Sequence, residues 1–168
     1  MTGGGATREA AVWAALAEVP DPEIPAVSVV DLGIVGGVEL DADRLRVELL
    51  PTFVGCPAMD VIRDAVTSRL AGMAAQVEVE VSFAEPWTSD RITAEGRRRL
   101  RESGFAPPAP HPADQQPLFA TITTRPVATC PYCGSRDTAL ENPFGPTLCR
   151  SIFWCHACRQ PFEQFKAV

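Results

Sequence analysis

The chain has 168 residues, 46% hydrophobic and 21% charged, with a formal net charge of −6. That size holds one mid-sized domain, or a domain of about 100 residues plus a small module. The ordinary apolar content excludes global disorder. No apolar run reaches the roughly 18 residues that a membrane-spanning helix needs. The opening MTGGGATREA lacks the basic and apolar regions of a secretory signal, so a cytoplasmic protein is expected. Up to Phe105 there are 17 acidic and 10 basic residues; from Ala106 onward there are 4 and 5. An acidic chain with no basic block is a poor nucleic-acid binder, because phosphate neutralisation supplies most of that affinity. The cluster Arg97, Arg98, Arg99 and Arg101 reads as a solvated helix face.

In chain order, residues 8–19 place Val12, Ala15, Leu16 and Val19 on one helical face, with Pro20 and Pro22 to stop the helix. Residues 33–40 and 45–50 are strand candidates, joined as a hairpin through Asp41–Arg44. Residues 57–71 form an amphipathic helix on Ala58, Val61, Ile62, Ala65, Val66 and Leu70. Residues 76–83 alternate strictly, with Val77, Val79, Val81 and Phe83 inward. A last helix spans 92–103. The helix between the second and third strands predicts a crossover that leaves those strands parallel. Residues 106–118 are Pro-rich and read as a linker that cannot join a packed core. They separate an α/β domain over 8–105 from a module over 119–168, so the fold class expected is α+β.

Cys56 stands alone between a strand and a helix, ahead of Pro57, which suits a first helical position. As N-cap its thiol would face free backbone N–H groups and the positive end of the helix dipole, both of which favour the thiolate. A small buried apolar role is the other reading. The preceding loop, 20–33, carries Asp21, Glu23 and Asp31 among three prolines and reads, from composition alone, as a rigid solvated loop. The domain holds no His, which weakens a Cys–His hydrolase, and no Gly-rich phosphate loop.

Asp21-Pro22-Glu23-Ile24-Pro25, then Val29-Val30-Asp31-Leu32-Gly33-Ile34-Val35, then Thr52-x-x-Gly55-Cys56-Pro57, resemble the small α/β domain of SufT-type iron–sulfur assembly factors. The resemblance implies that Asp21, Glu23, Asp31, Thr52 and Cys56 surround one surface site that handles iron or a cluster.

The other five cysteines lie in the last 39 residues. Clustered cysteines in a reducing compartment point to metal rather than disulfides. Cys130-x-x-Cys133 and Cys155-x-x-Cys158 are two turns, 21 residues apart, that can close a tetrahedral zinc site; rubredoxin-like iron fits the same donors. Cys149 is a spare thiol, a substitute ligand or a transient cluster ligand. His156 reads as a solvated turn residue. Phe144, Phe153, Trp154, Phe162 and Phe165 are the expected small core, and 119–124, 148–154 and 161–166 the expected strands.

The whole arrangement, with Cys130-Pro-x-Cys133-Gly134, Phe144-Gly145-x-Thr147-x-Cys149-Arg150 and Cys155-x-x-Cys158-x-x-Pro161-Phe162, resembles the PaaD family of the phenylacetyl-CoA epoxidase system. Arg150 stands where that pattern suggests Lys. The resemblance implies a non-enzymatic accessory or maturation subunit in phenylacetate catabolism, with the system's oxygenase and reductase subunits as partners. It would carry zinc or iron in the ribbon and a transient iron–sulfur cluster at Cys56. Electron transfer and scaffolding are the alternatives. One thiol cannot hold a four-iron cluster, so a homodimer, a partner thiol or Cys149 would have to contribute.

Overall fold

A computed structural model describes residues 3–53, 55–108 and 127–166, the side chains of 3–6 excepted. The strand expected over 119–124 and most of the Pro-rich stretch lie outside the described residues. Contacts divide the chain into two compact units, Met1–Trp87 with Arg91–Gly96, and Thr88–Asp90 with Arg97–Val168.

In the first unit, α1 (Gly3–Leu16) carries the expected apolar face, with Val12, Ala15 and Leu16 buried. It ends ahead of Pro20 by tightening, as Glu18 N–H and Val19 N–H bond the carbonyls of Ala15 and Leu16. β1 (Val35–Asp41) and β2 (Arg44–Leu49) form the antiparallel hairpin, in the register Val35↔Leu49 to Asp41↔Arg44. Ala42 in the turn takes the left-handed conformation at φ 46°. β3 (Gln76–Val81) lies parallel to β2, with Leu49 opposite Val81. Leu45, Val47 and Leu49 are fully buried on one face. On the other, Arg44 pairs with Glu78 and Arg46 with Glu80.

Between β2 and β3 runs α2 (Ala58–Leu70), packed on α1 and β3. Its buried stripe is Ala58, Met59, Ile62, Val66 and Leu70. Met59 takes the place expected of Val61, which is exposed, because the stripe turns toward the helix's inner side in the first turn. Phe83 is also exposed: β3 stops at Val81, so the alternation no longer aims it at the core.

The last helix, α3 (Ala94–Glu102), starts later than its periodicity predicts, behind a single 3-10 turn at Ser89–Arg91. Thr93 Oγ1 caps it by accepting Gly96 N–H at 2.9 Å. In the second unit, β4 (Phe105–Ala106), β5 (Thr138–Asn142), β6 (Arg150–Cys155) and β7 (Pro161–Phe165) form a sheet in the order β4-β7-β6-β5. β4 is parallel to β7, and the other pairs are antiparallel.

Ala106 is fully buried beside Ala128, Cys130, Phe153, Cys155 and Phe162. The ribbon's core thus takes in a residue whose Pro-rich neighbours predict a linker; alanine is small enough to seat against the β7 backbone. Phe153 and Phe162 stack with centroids 5.7 Å apart. Phe144 is exposed rather than in the core, and Lys166 Nζ lies 5.1 Å from its ring centre.

Candidate functional site

The second unit brings four sulfurs together by repeating one turn. In the first turn Gly134 N–H donates to Cys130 O (2.9 Å), and Cys130 N–H to Ser135 O (2.9 Å). In the second, Arg159 N–H donates to Cys155 O (2.9 Å), and Cys155 N–H to Gln160 O (3.0 Å). Each turn needs a left-handed residue just after its second cysteine: Gly134 at φ 75° and Arg159 at φ 57°. The ribbon strands then face the turns toward each other. Cys130 Sγ lies 3.7 Å from Cys158 Sγ and Cys133 Sγ 3.6 Å from Cys155 Sγ, and all four sulfurs lie within 4.8 Å of one another.

Ligands about 2.3 Å from a tetrahedral metal stand about 3.8 Å apart, so this donor set fits zinc, or iron, and binds metal. The thiols also share their protons unevenly. Backbone N–H of Cys158 pulls Cys155 down to about 7, whereas burial and the neighbouring thiols push Cys158 up to about 12. Four negative sulfurs at this spacing coexist only around a cation. His156 is exposed, as expected of a turn residue. Cys149 lies apart from the four, with its sulfur 3.1 Å from Thr147 Oγ1. Arg150 is buried, ion-paired with Glu163 at 2.9 Å and bonded to Thr147 Oγ1 at 2.8 Å. Its role is to tie β6 to β7.

Cys56 is placed by three separate chain segments meeting at one edge of the first unit's sheet. Loop 50–57 leaves the end of β2, and Cys56 N–H bonds Phe53 O at 3.1 Å. Loop 20–34 reaches the same edge because β1 starts opposite the end of β2. β3 ends there too, with Ser82 N–H bonded to Leu49 O.

Cys56 is not the helix cap. Pro57 occupies that position, and Cys56 sits one residue earlier. The thiolate is not favoured as the dipole argument predicts. Burial raises the Cys56 thiol above its ordinary value, and the charges of Glu23 and Asp21 add to that; N–H groups of Ala58 and Met59 oppose them without prevailing.

The remaining residues of the expected site shape the loops, and Glu23 and Asp21 act on Cys56 through their charge. Asp21 Oδ1 accepts the N–H groups of Glu23 (2.9 Å) and Ile24 (2.8 Å), and so holds the turn that carries Glu23. Asp31 and Ser28 bond reciprocally: Ser28 N–H donates to Asp31 Oδ2 (2.9 Å) and Asp31 N–H to Ser28 Oγ (3.0 Å). This Ser28-x-x-Asp31 exchange is the capping-box pattern used in a loop, a signal legible in sequence. Both acids are buried rather than solvated, and so is Thr52. Trp87 Nε1–H anchors the loop by donating to Leu32 O at 2.9 Å, a role that no local pattern announced.

Comparison with known proteins matches both units. Residues 9–83 fit the iron–sulfur cluster assembly protein family, and residues 114–166 fit the PaaD zinc beta ribbon domain. A protein of Escherichia coli (strain K12), provisionally named as the D component of 1,2-phenylacetyl-CoA epoxidase, is 37% identical over 161 residues, covering 94% of this chain and 92% of that protein. Among solved structures, a domain of unknown function (DUF59) from Bacillus anthracis is 28% identical with a TM-score of 0.53, over 56% of this chain and 92% of that one. A conserved hypothetical protein from Thermotoga maritima is 30% identical with a TM-score of 0.46, over 53% and 89%. The chain belongs to the PaaD family of phenylacetyl-CoA epoxidase components, and joins an assembly-type α/β domain to a four-cysteine metal ribbon.

Proposed function

We propose that this protein is a non-enzymatic cytoplasmic accessory subunit of a phenylacetyl-CoA 1,2-epoxidase system, which handles iron or an iron–sulfur cluster for an oxygenase or reductase partner. The observation that carries this reading is the half-buried thiol of Cys56 just beyond the end of the central strand β2, with the carboxylates of Glu23 and Asp21 in electrostatic range. A single thiol binds cargo without enclosing it, which suits hand-over. A four-sulfur cage retains what it holds.

The raised affinity of Cys56 for its proton means that a metal cation must displace that proton on binding, so cargo is taken up more readily as pH rises. Glu23 and Asp21 attract the cation that replaces it. Asp31, with Ser28, and Thr52 keep the loops in register around the thiol. In this division of labour the domain over 8–105 handles the cargo. The ribbon over 119–168, with zinc or iron on Cys130, Cys133, Cys155 and Cys158, is structural and serves docking.

Complementation with Cys56→Ala tests the proposal. Loss of partner iron and of epoxidase activity is expected, while full partner iron and activity in the variant overturns it. Metal analysis separates the electron-transfer alternative: colourless zinc supports a structural ribbon, and a red iron–thiolate protein supports redox cycling.

A further inference from the structure

The arginines of α3 do not form one solvated face. Arg98 pairs with Glu102 on the helix surface. Arg97 and Arg101 instead line a cleft of about 520 Å³ within the second unit. Arg136, from the segment between the first C-x-x-C turn and β5, lines the same cleft, and Pro107, Pro108 and Val127 give it an apolar wall. Every ionisable residue in that lining is an arginine.

The three charges are not cancelled from within. Arg97 is held by neutral partners, donating to the backbone carbonyls of Ser89 (2.7 Å) and Pro108. Such bonds fix the guanidinium and leave its charge in place. Among the described residues, no carboxylate pairs with Arg97, Arg101 or Arg136. Glu102 is taken by Arg98 and Glu163 by Arg150, while Asp137, beside Arg136 in the chain, lines no part of the cleft. The wider charge balance runs the same way: the second unit has 9 basic and 6 acidic residues, against 6 and 15 in the first. The dipole of α3 favours Arg101 in its last turn, but gives no reason for Arg136, which belongs to another segment. Like charges gathered in one concavity repel, and an anion that enters it relieves the repulsion.

We propose that this cleft binds a small phosphoanion of the nucleoside-phosphate class, with its phosphates on the arginines and its ring system on the proline wall. The volume falls within the roughly 300–1,000 Å³ of small-molecule sites. Guanidinium groups match phosphate oxygens in charge and in paired donors, so three of them suit more than one phosphate group. The rings of Pro107 and Pro108, with Val127, offer a planar base an apolar surface that a lone inorganic phosphate leaves unused. A free nucleotide and the nucleotide end of a coenzyme A thioester share this chemistry. Every residue of the cleft belongs to the second unit, so its binding does not depend on Cys56.

The test is calorimetric titration of the full-length, metal-loaded protein with ADP, coenzyme A, inorganic phosphate and a Glu-rich peptide. ADP or coenzyme A should bind about tenfold or more tightly than inorganic phosphate, and more weakly as salt rises. Arg101→Gln and Arg136→Gln, both at exposed positions, should each weaken that binding by about tenfold, the scale of one charge-assisted contact, with thermal unfolding unchanged. Arg98→Gln, outside the cleft, should bind like the parent. Tighter binding of coenzyme A than of ADP assigns the cleft to the thioester's nucleotide end, and equal affinity assigns it to a free nucleotide; both support the site. Three outcomes overturn it. Neither ADP nor coenzyme A binds at millimolar concentration. Arg101→Gln and Arg136→Gln bind like the parent. Or inorganic phosphate or the peptide binds at least as tightly as ADP and coenzyme A, which assigns the arginines to a different anion.

Discussion

The two cysteine sites are built in opposite ways. Each half of the ribbon site is made within six consecutive residues, by two backbone bonds and one left-handed residue, and the halves are alike bond for bond. The Cys56 edge is assembled from the loop before β1, the loop after β2 and the end of β3, held by side chains such as Asp21, Asp31 and Trp87. Local construction gives a closed set of sulfurs with inward-facing donors. Convergent construction gives one half-buried thiol, whose surroundings depend on how distant segments settle. On the proposed reading, the first retains its metal and the second exchanges its cargo.

The largest expected difference between the sites is in stability. Cys155 is fully buried in the ribbon core, and structural metal sites of this kind supply on the order of 10 kcal/mol of folding free energy. Chelation of the metal, or Cys155→Ser, should therefore abolish hydrogen-exchange protection in β5–β7. Protection in β1–β3 should stay as it was. Ribbon amides that remain protected in metal-free protein would sink the idea that the sulfurs hold this unit together.

The converse break is in the other unit. Gly33 sits at φ +65°, and a Cβ there would lie 2.4 Å from the carbonyl oxygen of Arg91. Gly33→Ala should cost about 2 kcal/mol or more from backbone strain and overlap. The effect should be visible as a lower melting temperature and a change in Trp87 fluorescence, because Trp87 is bonded to the neighbouring Leu32. Ribbon protection should be unaffected. Equal destabilisation of both units would contradict their independent construction.

What could be read from sequence follows the same division. The C-x-x-C turns, the hairpin and the parallel β2–β3 pair are local or one crossover long, so spacing and alternation specify them. The four ligands are the residues that converge. Side-chain direction at element ends was less legible. Phe83 continues an alternation that the backbone abandons after Val81, and Val61 fits a helical stripe that Met59 occupies. Pro57 in front of a helix located its start, but the cap falls on the proline itself, which leaves Cys56 outside the helix. The thiol's protonation was not legible at all, since burial and two acids some 30 residues upstream in the chain decide it.

That protonation gives a smaller contrast. With its pKa raised, Cys56 is less ionised at pH 8 than an ordinary thiol, so iodoacetamide should react more slowly than with a free cysteine peptide, and the rate should climb through pH 9 and beyond. Glu23→Gln removes one of the charges holding the proton on, and should shift the profile to lower pH. A parental rate that is already at its plateau near pH 7 would show that the backbone N–H groups of Ala58 and Met59 outweigh burial.

The smallest effect probes whether the two ribbon turns are equivalent. Gly134 has nothing within 4 Å of the position a Cβ would take, so Gly134→Ala adds left-handed backbone strain without overlap and should cost about 1 kcal/mol. Arg159 already carries that strain at φ 57°. Arg159→Gly should relieve it, offset in part by the greater freedom glycine gives the unfolded chain, for a net gain of about 0.5 kcal/mol. Both are measured by chemical denaturation of the metal-loaded protein. Because the turns share the same bonds, the two changes should be opposite in sign, with the gain about half the loss. A large loss at Gly134 with no gain at Arg159 would mean that one turn carries the ribbon and the other is fitted to it, so that identical bonding conceals unequal roles.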